Sequence, residues 1–550
     1  MQRQPRSNYS RLPGLFALAG LAVLSACGGG NGNGNDDNGG GQAAPAVAAT
    51  TAGQVQAVDR LGMRSYFGIP FAAPPVGNMR WMPPAAAQPW TAPLAKTQSN
   101  APCLQTSSSA FRLPNGQEDC LYLDVHAPAS GAGPFPVMVW IHGGAFNTGG
   151  TVTYADPSPL VGKGVIVVNI AYRMGAMGFL GHPSLRAADG SVGNYGIMDQ
   201  QAALRWVQDN IASFGGNRAN VTIFGESAGG FSVMTHLASP LSKGLFSKAI
   251  VESGGYGFDR QLTQAQLETQ STAVVNSALA AAGVACATVD AACLRGLPAD
   301  VVNNQLAAAF TAANSSPVPS VDGKVLPKTI KNTFIAGENN KVPLVNGSNR
   351  DEWSLFVASR ELLAGPLTAA QYPSYLQTSL GLPPTLAAFY PLADYGTNPA
   401  QQPSLGATAA GTDLLFSCPG LNASKRVLAQ GSPIYMYEFR DRTAIPSIGR
   451  NTVSFNQGAG HSYELQYLFN LRDLETAEHR DLQTAMSRYW TNFARTGNPN
   501  EGDQVAVSWP AFSGPSKVLG LDVGSAGGIR ELNTFEADHK CNTAWAALTF

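Results

Sequence analysis

The residues with the clearest chemical potential form a Gly-x-Ser-x-Gly pattern centred on Ser227. Four apolar or β-branched residues, Val221 to Phe224, precede the pattern and predict a short buried strand, and helix-compatible residues follow from Phe231 to Ala238. A serine at a sharp strand-to-helix turn has a strained backbone and can act as a nucleophile. Side chains at Gly225 and Gly229 would clash with the adjoining strand and helix. This context favours a nucleophilic serine over an ordinary glycine-rich turn.

A serine hydroxyl needs a base that removes its proton and an acid that orients the base, here in the chain order nucleophile, acid, histidine. Three of the seven histidines, His461, His479 and His539, lie far enough downstream to be the base. His461 stands in a glycine-rich loop, which suits a base that reaches into a pocket. His479 lies in a charged helical stretch and is expected on a solvated face, and His539 lies in a polar coil near the C-terminus. We therefore predict His461 as the base.

The pattern leaves the acid open. A predicted strand, Val342 to Val345, breaks at Asn346, and Asp351 and Glu352 follow just before an apolar helix start. Either carboxylate fits the role. Glu438 and Asp441, after the next predicted strand, are rivals.

The elements that must position these residues alternate between strands and helices. Unbroken apolar runs predict strands covered on both faces, whereas Leu121 to Val125 alternates and predicts a half-exposed strand. The other predicted strands are Phe135 to Ile141, Val165 to Ala171 and Ile434 to Phe439, and the predicted helices include Gln200 to Ile211 and Gln264 to Ala282. This order predicts an α/β fold with a mostly parallel, twisted sheet and helices on both faces. Chemistry is then expected beyond the C-terminal strand ends, where Gly143-Gly144 and Ser227 fall.

Composition narrows the possible partners. The chain has 550 residues, 13% charged, with a formal net charge of −1. The absence of Lys/Arg runs argues against nucleic acid as a partner. No C-x-x-C or paired-histidine spacing predicts a metal site, and no cofactor is expected.

The first 26 residues have the character of a signal peptide. Three arginines precede an apolar stretch from Leu12 to Leu24, which is too short to span a bilayer comfortably. The stretch ends in Leu24-Ser25-Ala26-Cys27, which resembles the lipobox of bacterial lipoproteins and implies lipidation of Cys27. Ordinary secretion, with cleavage near Ala26, is the alternative. Residues 27–49 are expected to form a Gly/Asn-rich flexible tether, and residues 50–550 one domain.

The remaining six cysteines, an even number, indicate disulfides in an exported chain, either lipid-anchored to a bacterial (outer) membrane or free in the periplasm or medium. They are Cys103, Cys120, Cys286, Cys293, Cys418 and Cys541. Fifteen pairings are possible.

From about Thr50 onward the chain resembles the type-B carboxylesterases, the family that also contains the cholinesterases and has the α/β-hydrolase fold. The resemblance is carried by several motifs together, which are Phe67-Gly68-Ile69-Pro70, Glu118-Asp119-Cys120-Leu121-Tyr122-Leu123, His142-Gly143-Gly144-Ala145-Phe146, Gly193-Asn194-Tyr195-Gly196 through Asp199-Gln200, Phe224-Gly225-Glu226-Ser227-Ala228-Gly229-Gly230 and Gly458-Ala459-Gly460-His461. Two departures stand out, because Ser462 and Trp353 occupy positions where glycine is common in the family.

The resemblance implies roles that the residues alone do not decide. It selects Glu352 as the acid, and it assigns the oxyanion hole to the backbone N–H groups of Gly143, Gly144 and Ala228. It also implies the disulfides Cys103–Cys120, Cys286–Cys293 and Cys418–Cys541.

The expected function is hydrolysis of small-molecule carboxylic esters through an acyl-serine. Hydrolysis of amides or thioesters, transacylation, and a non-catalytic adhesion role known in the family are alternatives. The Cys103–Cys120 loop has one aromatic residue, Phe111, where cholinesterases supply a tryptophan, which argues against choline esters. Glu226 either tunes the charge of the site or is a buried structural acid, and the second interpretation is favoured. Acyl and alcohol preferences and oligomeric state stay open.

Overall fold

A computed structural model describes residues 44–106, 115–255, 257–258, 261–313 and 315–547. The predicted signal peptide, Cys27 and Phe111 lie outside the described residues. The strands of the described part are β1 Val47–Ala49, β2 Gln54–Gln56, β3 Val58–Arg60, β4 Met63–Pro70, β5 Tyr122–Pro128, β6 Phe135–Ile141, β7 Ile166–Ile170, β8 Gly216–Glu226, β9 Lys248–Glu252, β10 Leu344–Asn349, β11 Ile434–Phe439, β12 Val518–Leu521 and β13 Arg530–Leu532.

Helices fill the connections between these strands. They are α1 Ser158–Val161, α2 Gly175–Phe179, α3 Tyr195–Asn210, α4 Ala228–Ala238, α5 Gln264–Ala282, α6 Ala291–Gly296, α7 Leu306–Ala312, α8 Ile330–Ala336, α9 Ser354–Ala364, α10 Tyr372–Ser379, α11 Pro384–Ala387, α12 Gln402–Thr412, α13 Cys418–Ala429, α14 Ala477–Thr496 and α15 Phe535–Asp538. A π-helical segment, Asp413–Ser417, joins α12 to α13. Among the described residues, no helix is long and apolar enough to cross a membrane.

One sheet of eleven strands organises the described chain, in the order β13-β12-β11-β10-β9-β8-β6-β7-β5-β4-β3. The seven neighbours from β12 to β7 run parallel, while β5, β4 and β3 on one side and β13 on the other pair antiparallel. The expected mostly parallel sheet is therefore confirmed.

The side-chain alternation of the central strands builds two cores, one on each face of the sheet. On β6, Val137 and Val139 join a core with residues of α3, α4 and α13. Met138 and Trp140 point the other way and join a second core with residues of α1 and α14. Helices therefore cover both faces, which explains why the central strands read as unbroken apolar runs.

Two predicted strands differ from the structure. The strand predicted as half-exposed is β5, and its residues from Leu123 to Pro128 are buried, because β4 and β7 flank it within the sheet and both faces are covered. The second difference concerns β10, which continues to Asn349 through the polar residues that were predicted to end it. These polar side chains are buried, and Asn346 donates to the carbonyl oxygen of Gly420 over 2.9 Å.

The fold also begins earlier than expected. Ala44 and Ala48 are buried, and β1 pairs with β2. Residues 44–49, which were assigned to the tether, therefore belong to the folded part, because their small apolar side chains pack against it.

The six cysteines are joined as Cys103–Cys120, Cys286–Cys293 and Cys418–Cys541. These are the pairs that the family resemblance implied.

Candidate active site

Ser227 lies at the sharp turn between β8 and α4. Its backbone has φ 56° and ψ −121°, a strained conformation for a residue with a side chain. The turn is held by a hydrogen bond of 2.9 Å from the Ser227 N–H to the carbonyl oxygen of Glu252 on the neighbouring strand β9. A Cβ at Gly229 would overlap the carbonyl oxygen of Ile141, and one at Gly225 would lie 2.6 Å from the same atom. Both glycines are thus required by close packing, as predicted.

The loop after β6 brings Gly143 and Gly144 to the same strand edge. A Cβ at Gly143 would lie 3.2 Å from the Cβ of Ser227, so the loop passes directly beside the serine. Gly144 has φ +108°, a conformation that favours glycine. The Tyr172 hydroxyl donates to the carbonyl oxygen of His142 over 2.8 Å and fixes the start of the loop.

Ala228 is the first residue of α4, and the first N–H groups of a helix have no acceptor within the helix. The Gly143-Gly144 loop and the N-terminal end of α4 therefore both lie next to Ser227. The helix dipole adds a partial positive charge at this end.

His461 and Glu352 form a buried hydrogen-bonded pair. The His461 Nδ1 lies 2.5 Å from Glu352 Oε2, and the two side chains are 6% and 0% exposed. Glu352 Oε1 accepts two further hydrogen bonds, from the Ser253 hydroxyl over 2.5 Å and from the Asn349 N–H over 2.7 Å. An ionised carboxylate can accept all three bonds, whereas a neutral one must use an oxygen as donor. The other ring nitrogen of His461, Nε2, faces the serine turn, where it lies 3.1 Å from Glu226 Oε1.

The rival acids have other partners. Asp351 bonds to the backbone of the His461 loop and to Arg442. Glu438 contacts His539, whose Nε2 lies 2.5 Å from its Oε1, and Asp441 accepts bonds from Thr443 and Tyr467.

The two histidines that were not chosen as the base, His479 and His539, are more buried than the sequence suggested. The prediction of a solvated His479 is wrong: its side chain is 4% exposed and its Nε2 lies 2.9 Å from the Thr443 hydroxyl. It belongs to the buried stripe of α14 with Leu482 and Met486, at helical spacing. His539, expected in a polar coil, is also buried and lies between Asp413 and Glu438. Burial works against a charged His539 ring, but the two carboxylates outweigh it and raise its pKa to about 9.

Glu226 faces the site and is buried, which agrees with the favoured interpretation of a buried acid. Burial raises its pKa well above the usual range, and the charges of Glu352 and Glu252 raise it further. The same causes raise the pKa of Glu464, which also lies near the pair, and burial raises that of Glu252 to about 8. The neutral form of these acids is favoured, so Glu352 does not share the site with three further negative charges.

Three supporting residues were not identified from the sequence, namely Ser253, Asn349 and Glu464. The Asn349 side-chain amide donates to the Gly460 carbonyl oxygen over 2.7 Å and to Glu464. A usable signal existed for Glu464, because an acid directly before the apolar run Leu465 to Phe469 is expected to need a buried partner. Ser253 had no such signal, since it reaches Glu352 across 99 positions of chain.

Aromatic rings surround the pair and the serine turn. The ring centroids of Phe356 and Phe416 lie 5.4 Å and 5.0 Å from that of His461. Phe231 on α4 packs against Phe146 of the oxyanion loop at 5.9 Å and against Phe258 at 6.0 Å. Aromatic rings thus form one part of the surroundings, beside the buried acids described above.

Comparison with known proteins decides the family. The profile of the carboxylesterase family matches residues 44–542. The chain belongs to this family. It is 34% identical over 491 residues to carboxylesterase 1D of Rattus norvegicus, covering 81% of this chain and 83% of the relative. It is 35% identical over 488 residues to para-nitrobenzyl esterase of Bacillus subtilis (strain 168), covering 85% and 92%. Fumonisin B1 esterase of Sphingopyxis macrogoltabida is 33% identical over 506 residues, or 88% of each chain.

The protein is therefore a carboxylic-ester hydrolase of the type-B carboxylesterase family with an α/β-hydrolase fold. Its two departures from the family pattern have local explanations. Ser462 has φ 67°, a left-handed conformation that glycine adopts more readily. Trp353 has φ −72° and needs no glycine, and its indole packs on α12 at Gly411, where a side chain would overlap the ring.

Proposed function

We propose that this carboxylesterase hydrolyses esters through an acyl-enzyme formed on Ser227, with His461 as general base and Glu352 as the acid that orients it. The observation that carries the proposal is the buried Glu352–His461 hydrogen bond, with the other ring nitrogen, Nε2, turned toward the strained serine turn, where it lies 3.1 Å from Glu226 Oε1. Glu352 accepts a hydrogen bond from the protonated Nδ1. Nε2 is then unprotonated and able to accept a proton.

Catalysis then proceeds in two similar halves. His461 removes the Ser227 proton as the oxygen attacks the ester carbonyl, and the N–H groups of Gly143, Gly144 and Ala228 stabilise the negative charge on the carbonyl oxygen. His461 next donates this proton to the leaving alcohol, which gives the acyl-serine. Water, deprotonated by His461, attacks the acyl-serine; His461 then returns this proton to the Ser227 oxygen as the carboxylic acid leaves. Each oxyanion donor is expected to contribute about 3 kcal/mol.

The decisive experiment is Ser227→Ala. This variant should fold normally, lose nearly all turnover of a chromogenic acyl ester and no longer react with a fluorophosphonate probe. Ser525→Ala, in an exposed loop, is the control and should keep full activity and labelling. Undiminished turnover by Ser227→Ala would refute the assignment, and a wild-type protein that neither turns over esters nor labels would favour a non-catalytic member of the family.

For the substrate, we propose neutral esters with apolar groups on both sides of the carbonyl. The aromatic rings around His461 and Ser227 support this, as does the similarity to a relative that is named para-nitrobenzyl esterase. A panel that varies acyl and alcohol groups separately tests it. Faster hydrolysis of choline esters than of uncharged isosteres, or of matched amides and thioesters than of esters, would contradict it.

We further propose export and lipid anchoring at Cys27, based on the N-terminal sequence. A Cys27→Ser variant should lose incorporation of radiolabelled palmitate and move from the membrane to the soluble fraction. Unchanged labelling would exclude this cysteine as the anchor.

A further inference from the structure

The strongest unassigned feature beside the triad is the contact of Asp351 with the loop that carries His461. The Asp351 N–H donates to the Ala459 carbonyl oxygen over 2.9 Å, and the Ala459 N–H donates back to the Asp351 side chain, to Oδ2, over 3.0 Å. Ala459 is two residues before His461, and Asp351 is one residue before Glu352. The two bonds therefore join the acid-bearing segment to the base-bearing loop within one residue of Glu352 and two residues of His461.

Arg442 holds the Asp351 carboxylate in place. Its Nε and Nη2 donate to Oδ2 and Oδ1 over 2.8 Å and 2.7 Å, a bidentate arrangement that fixes the plane of the carboxylate. Gly458, with φ +61°, packs so closely on Asp351 that a Cβ there would overlap the carboxylate. The Asp351 side chain thus has little conformational freedom, and its Oδ2 is held where the Ala459 N–H needs an acceptor.

The loop is held by two residues that precede Glu352 in the chain. Asn349, three residues before the acid, binds the Gly460 carbonyl oxygen from a buried position, and Asp351 binds Ala459 next to it. The 2.5 Å separation of Glu352 from His461 is consequently set by these backbone bonds as well as by the side chains. Near-attack geometry is sensitive to displacements of about 1 Å, which can cost about 100-fold in rate.

We infer that Asp351 and Arg442 are positioning residues for His461, which act on the rate of ester hydrolysis by holding the 458–461 loop. The inference rests on the proposed roles of Ser227, Glu352 and His461. Neither residue is placed to contact substrate. Replacing either one should therefore lower kcat and leave KM unchanged.

Arg442 is open to mutation without damage to the core. Its side chain is 59% exposed and lies between two surface cavities of about 510 Å³ each, which share Arg442, Asn456 and Gly458 in their linings. An exposed ion pair contributes about 0 to 1 kcal/mol to stability. A large effect of Arg442 on kcat would therefore exceed what its contribution to folding explains.

The test compares Asp351→Ala, Arg442→Met and Arg442→Lys with the wild-type protein, with kcat expressed per active site titrated by a fluorophosphonate. We expect kcat to fall about 10- to 100-fold in Asp351→Ala and about 3- to 10-fold in Arg442→Met, with KM within twofold. Arg442→Lys, which keeps the charge but cannot form the two parallel bonds, should have a kcat between those of Arg442→Met and the wild type.

The control is Arg450→Met. Arg450 forms an exposed pair with Glu475, at 2.8 Å and 2.6 Å, and the two side chains are 45% and 46% exposed, against 59% and 15% for Arg442 and Asp351. This variant should keep wild-type kcat. The low-field proton signal of the His461 Nδ1–H, which reports its bond to Glu352, should broaden or move upfield in Asp351→Ala and Arg442→Met only.

Three results would overturn the inference: kcat within twofold of wild type in a folded Arg442→Met, losses that appear in KM, or equal losses in Arg450→Met. If Asp351→Ala does not fold, the Arg442 variants decide alone. A failure of the proposed function can be told apart from a failure of this inference, because the wild-type protein would then neither turn over esters nor react with the fluorophosphonate.

Discussion

Replacing Glu352 by Gln should inactivate the enzyme through the hydrogen bonds around the carboxylate rather than through loss of packing. Two donors, the Ser253 hydroxyl and the Asn349 N–H, point at Oε1 and require an oxygen there. The amide NH₂ of the glutamine must then take the place of Oε2 and face His461 Nδ1. Because the NH₂ group only donates, it forces Nδ1 to be the acceptor and moves the ring proton to Nε2.

A histidine protonated at Nε2 cannot accept the proton of Ser227. In another serine hydrolase, the corresponding carboxylate-to-amide change lowers kcat by about 10⁴, which corresponds to about 5.4 kcal/mol of transition-state stabilisation. We expect a loss of this size for Glu352→Gln, measured as kcat per folded molecule on a chromogenic acyl ester. Thermal unfolding should change little, because the side-chain volume is kept.

Glu464→Gln is the matched control. Glu464 is as buried as Glu352, and burial together with the charges of Glu226, Glu352 and Glu252 favours its neutral form. An amide resembles a neutral carboxylic acid, so this variant should stay within tenfold of wild-type kcat. The reasoning would be refuted if Glu352→Gln lost less than tenfold, or if both variants lost activity equally.

Two further predictions concern stability. The pKa of His539 is about 9 in the folded protein against about 6.5 in the unfolded chain. The charged ring therefore adds up to about 3 kcal/mol to the free energy of unfolding below pH 6.5, and this stabilisation is lost as pH rises through 9. Denaturant titrations from pH 6 to pH 10 should show this decline, and His539→Gln should flatten it; a slope unchanged in the variant would assign the decline to other groups. Replacing both members of Cys418–Cys541, which are 123 positions apart, should cost about 4 to 5 kcal/mol, against about 2 for Cys286–Cys293, which are 7 apart. Equal losses in the two double variants would contradict this chain-entropy argument.

The sequence was sufficient for the central strands because their burial on both faces leaves a simple signal. β6 and β11 have the predicted bounds, and α5 runs from Gln264 to Ala282 as predicted. β10 was predicted too short, since its last four residues are polar and find their partners in α13 and in the His461 loop. Such partners are distant in the chain, so no local pattern reveals them.

The same limit applies to the acid. The residues alone did not separate Asp351 from Glu352 and left Glu438 and Asp441 as rivals, so the family resemblance was needed to choose. The structure gives a physical reason against Glu438. On β11, Tyr437 and Phe439 point into the core that also contains Ala459 and Tyr463 of the histidine loop, so Glu438 between them points to the opposite face.

Glu352 escapes this constraint because it lies beyond the strand. β10 ends at Asn349, level with Phe439 of the neighbouring parallel strand, and the chain then turns over the edge of the sheet. From there Glu352 meets His461, while Asp351, one residue earlier, reaches only the loop backbone. In the proposed mechanism, a shift of one residue therefore separates the acid that orients the base from the acid that holds its loop. Exchanging the two acids, as Asp351→Glu with Glu352→Asp, keeps the total charge. The double variant should still lose turnover of a chromogenic ester, because the shorter side chain at position 352 withdraws from His461. Retained activity would show that the length of the side chain at this position is not decisive.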